Sequence, residues 1–292
     1  MLRPPPQSPG ARLRELIKKD IVILPGVFNA ISAVSAHKAG AQGLYLSGAG
    51  ITNATLGVPD IALATLTEFA QVATNVTQVA PIPVISDADT GFGEGLNTMR
   101  TVIEMERAGL AGIHLEDQVS PKRCGHLDGK TVITASHMAG KIRAAVDSKR
   151  DPSFMIIART DARGVEGIES AIARANLYVD SGADAIFPEG LQSEDEFETF
   201  RKGVKAPLMA NMTEFGKTPI ISTATFKELG YEMVIYPMTA FRVMLKAIDD
   251  CYAELLKTGT QAGMLDKMRT RAELYDRIEY AEYEAKDKGW EA

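Results

Sequence analysis

Cysteine is scarce: only Cys124 and Cys251 occur in the 292 residues. Cys124 lies in a Gly-containing turn and Cys251 in a helical pattern, where it reads as a small buried apolar residue. Such different settings exclude a disulfide framework and point to a reducing, cytoplasmic setting. No apolar run reaches membrane-spanning length. The start, Met1-Leu2-Arg3-Pro4-Pro5-Pro6, has no apolar signal-peptide core. Residues 1–9 read as a disordered tail. A basic excess is missing as well: the net charge is −6, which argues against a nucleic-acid partner. What remains is a soluble enzyme with no membrane role. If its substrate is a small di- or tricarboxylate, an acidic chain must gather its Arg and Lys locally.

With 45% hydrophobic residues, the chain can bury a large core without staples. Short β-rich apolar runs alternate with helical ones from about residue 20 to residue 257. Strands are predicted at 21–28, 43–47, 84–87, 112–116, 155–159, 185–188, 208–211 and 233–236. Helices are predicted between them, at 67–79, 97–108, 136–146, 168–181, 194–202, 223–229 and 240–256. This alternation implies parallel strands with right-handed crossovers. Eight units over this length predict a (β/α)8 barrel across residues 10–257. An open doubly wound sheet would need a Gly-rich phosphate loop after its first strand, and Pro25-Gly26-Val27-Phe28-Asn29 is not one. Residues 258–292 form a helical extension. It reads as a helix over 264–280, continuing to about 288, with a capping pattern at Thr270-Arg271-Ala272-Glu273.

Polar residues collect where the strands end: Ser47, Asp87 and Asp89, His114 and Glu116, Arg159 and Asp161, Glu189, Asn211 and Thr213, and Tyr236. Barrel enzymes gather their chemistry at that end. Asp87 and Asp89 share a face because strand side chains alternate. Two like carboxylates repel unless a cation joins them, and oxygen donors suit Mg2+ or Mn2+. A cap on the following helix is the other reading of the pair. Glu116 faces the same interior, whereas Asp117 faces outward. Arg159 with Asp161 is either an Arg fork for a substrate carboxylate or a structural ion pair. Ser47-Gly48-Ala49 offers backbone N–H groups to an anion. Tyr45, just before it, is either core or catalytic. Lys122-Arg123-Cys124-Gly125-His126 sets one thiol between cations on a long loop, 119–134, that can act as a lid. A thiol so placed can serve as a proton donor, with His126 the nearest histidine to assist it.

These runs, with Leu56-Gly57-Val58-Pro59-Asp60, Phe187-Pro188-Glu189 and Asn211-Met212-Thr213-Glu214-Phe215-Gly216, resemble the isocitrate lyase and phosphoenolpyruvate mutase superfamily. The resemblance covers about residues 24–280; the long insertion of isocitrate lyases is absent. It implies a (β/α)8 barrel whose C-terminal helices swap between subunits of a homotetramer. It also implies a Mg2+-dependent C–C lyase that splits 2-methylisocitrate into pyruvate and succinate. By position, it implies Asp87 and Asp89 at the metal, with Asp60 and Glu116 acting through water. It implies that Ser47, Gly48, Ala49, Cys124, Gly125, Arg159, Glu189, Asn211, Met212, Thr213, Arg242 and Arg271 bind substrate. Cys124 would be the general acid, with Lys122 and His126 beside it and Tyr45 a candidate base. Phe187 and Ile235 would leave room for the extra methyl. A related lyase acting on 2,3-dimethylmalate or isocitrate, or a phosphonomutase, is the alternative.

Overall fold

Strand-forming runs in this chain alternate two apolar sets, one for each face, and the backbone closes them into a barrel. In the computed structural model, which describes residues 7–127 and 129–290, eight strands occur. They are β1 (Val22–Val27), β2 (Leu44–Leu46), β3 (Val84–Asp87), β4 (Gly112–Glu116), β5 (Met155–Thr160), β6 (Ala185–Pro188), β7 (Met209–Asn211) and β8 (Met233–Tyr236). Neighbours pair in parallel in the order β6-β5-β4-β3-β2-β1-β8-β7. The seam between β6 and β7 is joined by a parallel bridge from Ile186 to Leu208, with the Ile186 N–H donating to the Pro207 carbonyl at 2.9 Å. The architecture is a (β/α)8 barrel.

Period-two alternation sorts the side chains. Leu24, Tyr45, Ile85, Met155, Ile157, Phe187, Met209, Met233 and Ile235 fill the interior. Leu44, Leu46, Val84, Ile113, Leu115, Ile156, Ala158, Ile186 and Val234 face the helix layer. The barrel therefore has a packed core, and space opens only above Tyr45, Phe187 and Ile235. Underneath, the helix Pro9–Lys19 caps the barrel by inserting Leu13 into that same interior cluster. Gly10 is needed there, because a Cβ would overlap the Ser153 carbonyl. Ser8 accepts from the Ala11 N–H as N-cap and Pro9 opens the helix. The tail expected over residues 1–9 thus overlaps this helix, and residues 1–6 lie outside the described residues.

The alternation did not reveal the helices Pro9–Lys19 and Ala30–Lys38. The first precedes the repeating unit, and the second, AISAVSAHK, carries a faint apolar stripe. The extension is also more broken than expected. It runs as a 3-10 turn at Ala262–Lys267 and helices at Arg271–Arg277 and Tyr280–Trp290. Thr270 is extended and starts a new helix through a capping box with Glu273, and Glu279 at φ 59° separates the last two. Cys251 is half-buried rather than buried, and both cysteines are free. Among the described residues, no helix is long and apolar enough to cross a membrane.

Between the barrel and its outer helices, Phe226 meets Phe197 edge-on at 4.9 Å and Tyr231 at 5.5 Å. All three are buried. Phe226→Ala is expected to lower stability by about 3–5 kcal/mol through the cavity it leaves. Urea unfolding checks this, with a lower midpoint and an unchanged slope.

Candidate active site at the barrel mouth

The strand ends aim their polar residues into a cavity of about 380 Å3 at the C-terminal mouth of the barrel. Tyr45, Ser47, Ala49, Asp60, Asp87, Arg159, Phe187, Glu189, Asn211, Thr213, Ile235 and Arg242 line it from the barrel. Lys122, Cys124, Gly125 and His126 line it from the loop after β4. A larger cavity of about 560 Å3 lies between the helix Ala30–Lys38 and the C-terminal extension, away from every strand end.

The loop after β4 is a flap with a fixed base. The Val119 N–H donates to Thr131 O at 2.9 Å. The Gln118 side chain exchanges two hydrogen bonds with the Arg123 backbone, both at 2.9 Å. At the tip, the Gly125 backbone rests on Arg159 and Glu189, where a Cβ would come within 2.5 Å of Arg159 Nη2. Any other residue would lift the flap. His126 joins this flap to the loop after β7. Its Nδ1 accepts the Lys217 N–H at 3.0 Å, so Nε2 carries the proton that is donated to Glu189 Oε1 at 2.8 Å. Gly216 makes room for that ring, since a Cβ would meet Nδ1 at 2.5 Å. Cys124 is exposed on the flap and faces the cavity.

On the floor, Arg159 forks onto Asp161 through Nε at 2.9 Å and Nη2 at 3.2 Å. Glu116 Oε2 lies 3.3 Å from Nε, and Glu189 Oε2 lies 3.7 Å from Nη1. The Arg159–Asp161 ion pair is therefore formed, while Arg159 also lines the cavity. Asn211 Nδ2 donates to Glu189 at 3.2 Å. Burial pushes the Glu189 carboxyl up, but Arg159 and the His126 hydrogen bond pull it well below the ordinary range. Asp117 faces outward as expected, yet is fully buried. It accepts from Thr160 Oγ1, Tyr178 OH and the Asp161 N–H, each at 2.8 Å.

Lys122 Nζ lies 2.6 Å from Asp60 and 3.0 Å from Asp89. Burial, then the nearby carboxylates of Asp87 and Asp60, raise the Asp89 carboxyl to about 7, with Lys122 opposing. Burial also raises Asp87, but His114, Lys122 and Arg159 outweigh it and keep that group below the usual range. Burial raises Glu116 strongly, and Arg159 only partly offsets it. Both Glu116 oxygens and Asp89 Oδ1 are buried without a hydrogen bond, having only the ion-pair approaches of Arg159 and Lys122. Among the described residues, no three His, Cys, Asp or Glu side chains already converge as a metal cluster. The oxygen donors of Asp60, Asp87, Asp89 and Glu116 nevertheless suit a hard divalent cation. On the side of β3 and β4, four carboxylates (Asp60, Asp87, Asp89 and Glu116) are reached by two cations, Lys122 and Arg159. That imbalance is the second reason a cation suits the site.

The phosphoenolpyruvate phosphomutase family model matches residues 13–256. The chain is 54% identical to the 2-methylisocitrate lyase of Aeropyrum pernix, over 98% of this chain and 92% of that one. The chain belongs to the phosphoenolpyruvate mutase/isocitrate lyase superfamily. It is a carbon–carbon lyase of that superfamily. The structure of 2,3-dimethylmalate lyase, at 33% identity, superposes with a TM-score of 0.92, covering 98% of this chain and 96% of that one. A phosphonopyruvate hydrolase solved with oxalate and Mg2+, at 26% identity, superposes with a TM-score of 0.86 over 96% of this chain and 98% of that one.

Against the superfamily pattern, two positions fall away from the mouth. Met212 packs its side chain in the layer outside the strands, with Sδ accepting the Ile221 N–H at 3.3 Å. Arg271 is exposed on the C-terminal extension and does not line the cavity within this chain. Gly48 abuts the cation region instead: a Cβ would meet Asp87 Oδ2 at 2.5 Å. Ser47 Oγ accepts the Gly50 N–H at 3.1 Å and so caps the short helix Gly48–Ile51. Arg242 is held by Glu214, at 2.6 Å to Oε2, and lies over the Phe215 ring. The contacts of two groups were not readable from sequence, although His114 itself was placed at a strand end. Lys130 is one, because nothing in a loop's composition says which lysine turns inward. His114 is the other: its Nε2 lies 2.8 Å from Tyr45 OH, a contact between strands distant in sequence.

Burial pushes the His114 ring down to about 4, so at neutral pH Nε2 accepts from the Tyr45 hydroxyl. The unfolded chain protonates this ring near its ordinary 6.5, and the folded chain only near 4. As pH falls between those values the unfolded state binds the extra proton, and this group removes stability. Ring 15N NMR of His114 at pH 6 is expected to show a neutral imidazole; a charged ring at that pH contradicts this reading.

Proposed function

We propose that the mouth cleaves 2-methylisocitrate into pyruvate and succinate, with Mg2+ held by Asp87 and Asp89 and, through water, by Asp60 and Glu116. The observation that carries this reading is the thiol of Cys124 facing a cavity floored by Tyr45, Asp87, Arg159 and Glu189. A cavity of about 380 Å3 suits a small tricarboxylate. The likeness to a 2-methylisocitrate lyase at 54% identity supports this substrate over 2,3-dimethylmalate, whose lyase is 33% identical.

Substrate carboxylates are held by the N–H groups after Ser47, by Arg242 with Thr213, and by Arg159 with Asn211. Arg271 completes the set when the C-terminal extension of another subunit is exchanged. Tyr45 takes the hydroxyl proton while passing its own to His114 Nε2, 2.8 Å away, and His114 then releases that proton to solvent. Burial, then the charge of Asp87, keeps its own proton firmly bound in the free enzyme. When bound, the cation supplies positive charge that offsets the surrounding carboxylates and lowers the cost of a negative oxygen in the cavity. The carbonyl of pyruvate forms as the C–C bond breaks, and the electron pair passes to the carbon beside the succinate carboxylate. Arg159 and the N–H donors stabilise that charge. Cys124 then gives its S–H proton to the carbon, and solvent restores the thiol. Phe187 and Ile235 sit at the cavity wall, where they leave space for the methyl group. That space is worth about 1–3 kcal/mol against isocitrate.

The extension and the helix Thr239–Thr258 expose Val243, Tyr252, Leu256, Leu265 and Trp290. Such a face supports association between copies of the chain, as in a homotetramer with exchanged helices. Light scattering on the purified protein is expected to give four times the chain mass, and a monomer contradicts the exchange.

Cys124→Ser is expected to lower pyruvate release from 2-methylisocitrate by about 10²–10⁴-fold without changing the melting temperature. EDTA is expected to abolish release, and added Mg2+ to restore it. Near-normal turnover of the Ser variant removes Cys124 from the chemistry. Pyruvate from 2,3-dimethylmalate alone, or turnover of phosphonopyruvate, overturns the substrate assignment.

A further inference from the structure

Lys130 belongs to the flap, yet its side chain is only 5% exposed. Its ammonium donates to the Gly125 carbonyl, next to Cys124 in the chain. It also pairs with Asp161 Oδ1 at 3.0 Å. Asp161 is a fixed point: its N–H is held by Asp117 at 2.8 Å and its carboxylate by the Arg159 fork. The ammonium thus ties the backbone beside the thiol to the rigid end of β5. The flap has two other ties. The Gln118 and Val119 bonds hold its base and leave the tip free to swing. His126 holds the tip to the loop after β7 through the Lys217 N–H and to Glu189 at the end of β6, so both of its ties run through a side chain and neither fixes the Gly125 carbonyl.

We propose that Lys130 is a positioning residue that fixes the height of the Cys124 flap over the cavity. It touches neither cavity nor substrate; it sets where Gly125 sits on Arg159 and Glu189, and so where the thiol points. This proposal rests on the reading of Cys124 as acid, but its first readout does not. Without the ammonium, the Gly125 carbonyl loses its charged donor, and Asp161 keeps only Arg159.

The test is hydrogen exchange of the flap amides in Lys130→Met, with kcat and KM measured on the same protein. The amides of residues 123–127 are expected to exchange about tenfold faster or more, while those of β4 and β5 stay unchanged. Turnover is expected to fall by about a hundredfold at nearly constant KM, because misplacement by about 1 Å has that effect. Lys130→Gln keeps an N–H for Gly125 but loses the charge for Asp161, so intermediate values are expected. The Gln variant settles the question if the Met variant does not fold. Unchanged flap exchange in a folded variant, or a rise in KM at constant kcat, overturns the proposal. If the wild type turns over nothing, the chemical reading fails and the exchange result alone decides the latch.

Discussion

Arg159 is nearly enclosed, with Glu116, Asp161 and Glu189 around its guanidinium at 3.3, 2.9 and 3.7 Å, and the Phe187 ring 5.1 Å beneath it. Among the described residues, no other side chain in the mouth touches so many of these groups. Asp161 is oriented by it and in turn holds Lys130. Glu189 is kept ionised by it, and so accepts from both His126 and Asn211. The flap rests on the pair that Arg159 makes with Glu189, at a glycine chosen by that close approach. Removing this one cation would leave three carboxylates buried around an empty centre. Losses of about 3–5 kcal/mol accompany such breakage.

This arrangement divides the mouth into two halves. On the side of β5 and β6, carboxylates are neutralised by Arg159 and Lys130 and the geometry is rigid. On the side of β3 and β4, Asp87, Asp89, Asp60 and Glu116 share Lys122 and one approach of Arg159, at 3.3 Å from Glu116, and two of them are pushed towards their protonated forms. The rigid half suits holding an anion in register. The under-neutralised half suits a divalent cation. The flap spans both halves, because Lys122 reaches one and Lys130 the other, with Cys124 between them in the chain. A reaction that separates charge between an oxygen and a carbon is well served by such a floor, because both poles meet preorganised partners.

Much of this was legible in the residues. Strands at 84–87, 112–116, 185–188 and 233–236 appear with the predicted bounds, because each is a short, mostly apolar run that ends in a polar residue or is followed by one. Period two placed Asp87, Glu116 and Arg159 on the interior face and Asp117 outside it. The limits of the pattern are physical. Lys130 and His114 act through contacts made by chain segments far apart, and a local pattern carries no trace of those. Met212 lies between two mouth residues, so period two itself sends its side chain outward. The extension misled because an amphipathic stretch does not reveal where a left-handed residue such as Glu279 will break it. The helix Pro9–Lys19 was hidden because it lies outside the repeat, although Leu13, Leu16 and Ile17 are the stripe it packs on the barrel.

The central claim is that one proton donor, on one side of the cavity, finishes a carbon–carbon cleavage. Cleavage of 2-methylisocitrate in D2O, with the products read by NMR, tests it most directly. The account predicts succinate carrying a single deuterium on one carbon, in one configuration, beside pyruvate. Succinate with deuterium in both configurations would mean that solvent, and not a fixed thiol, quenches the fragment; no succinate at all would contradict the account outright.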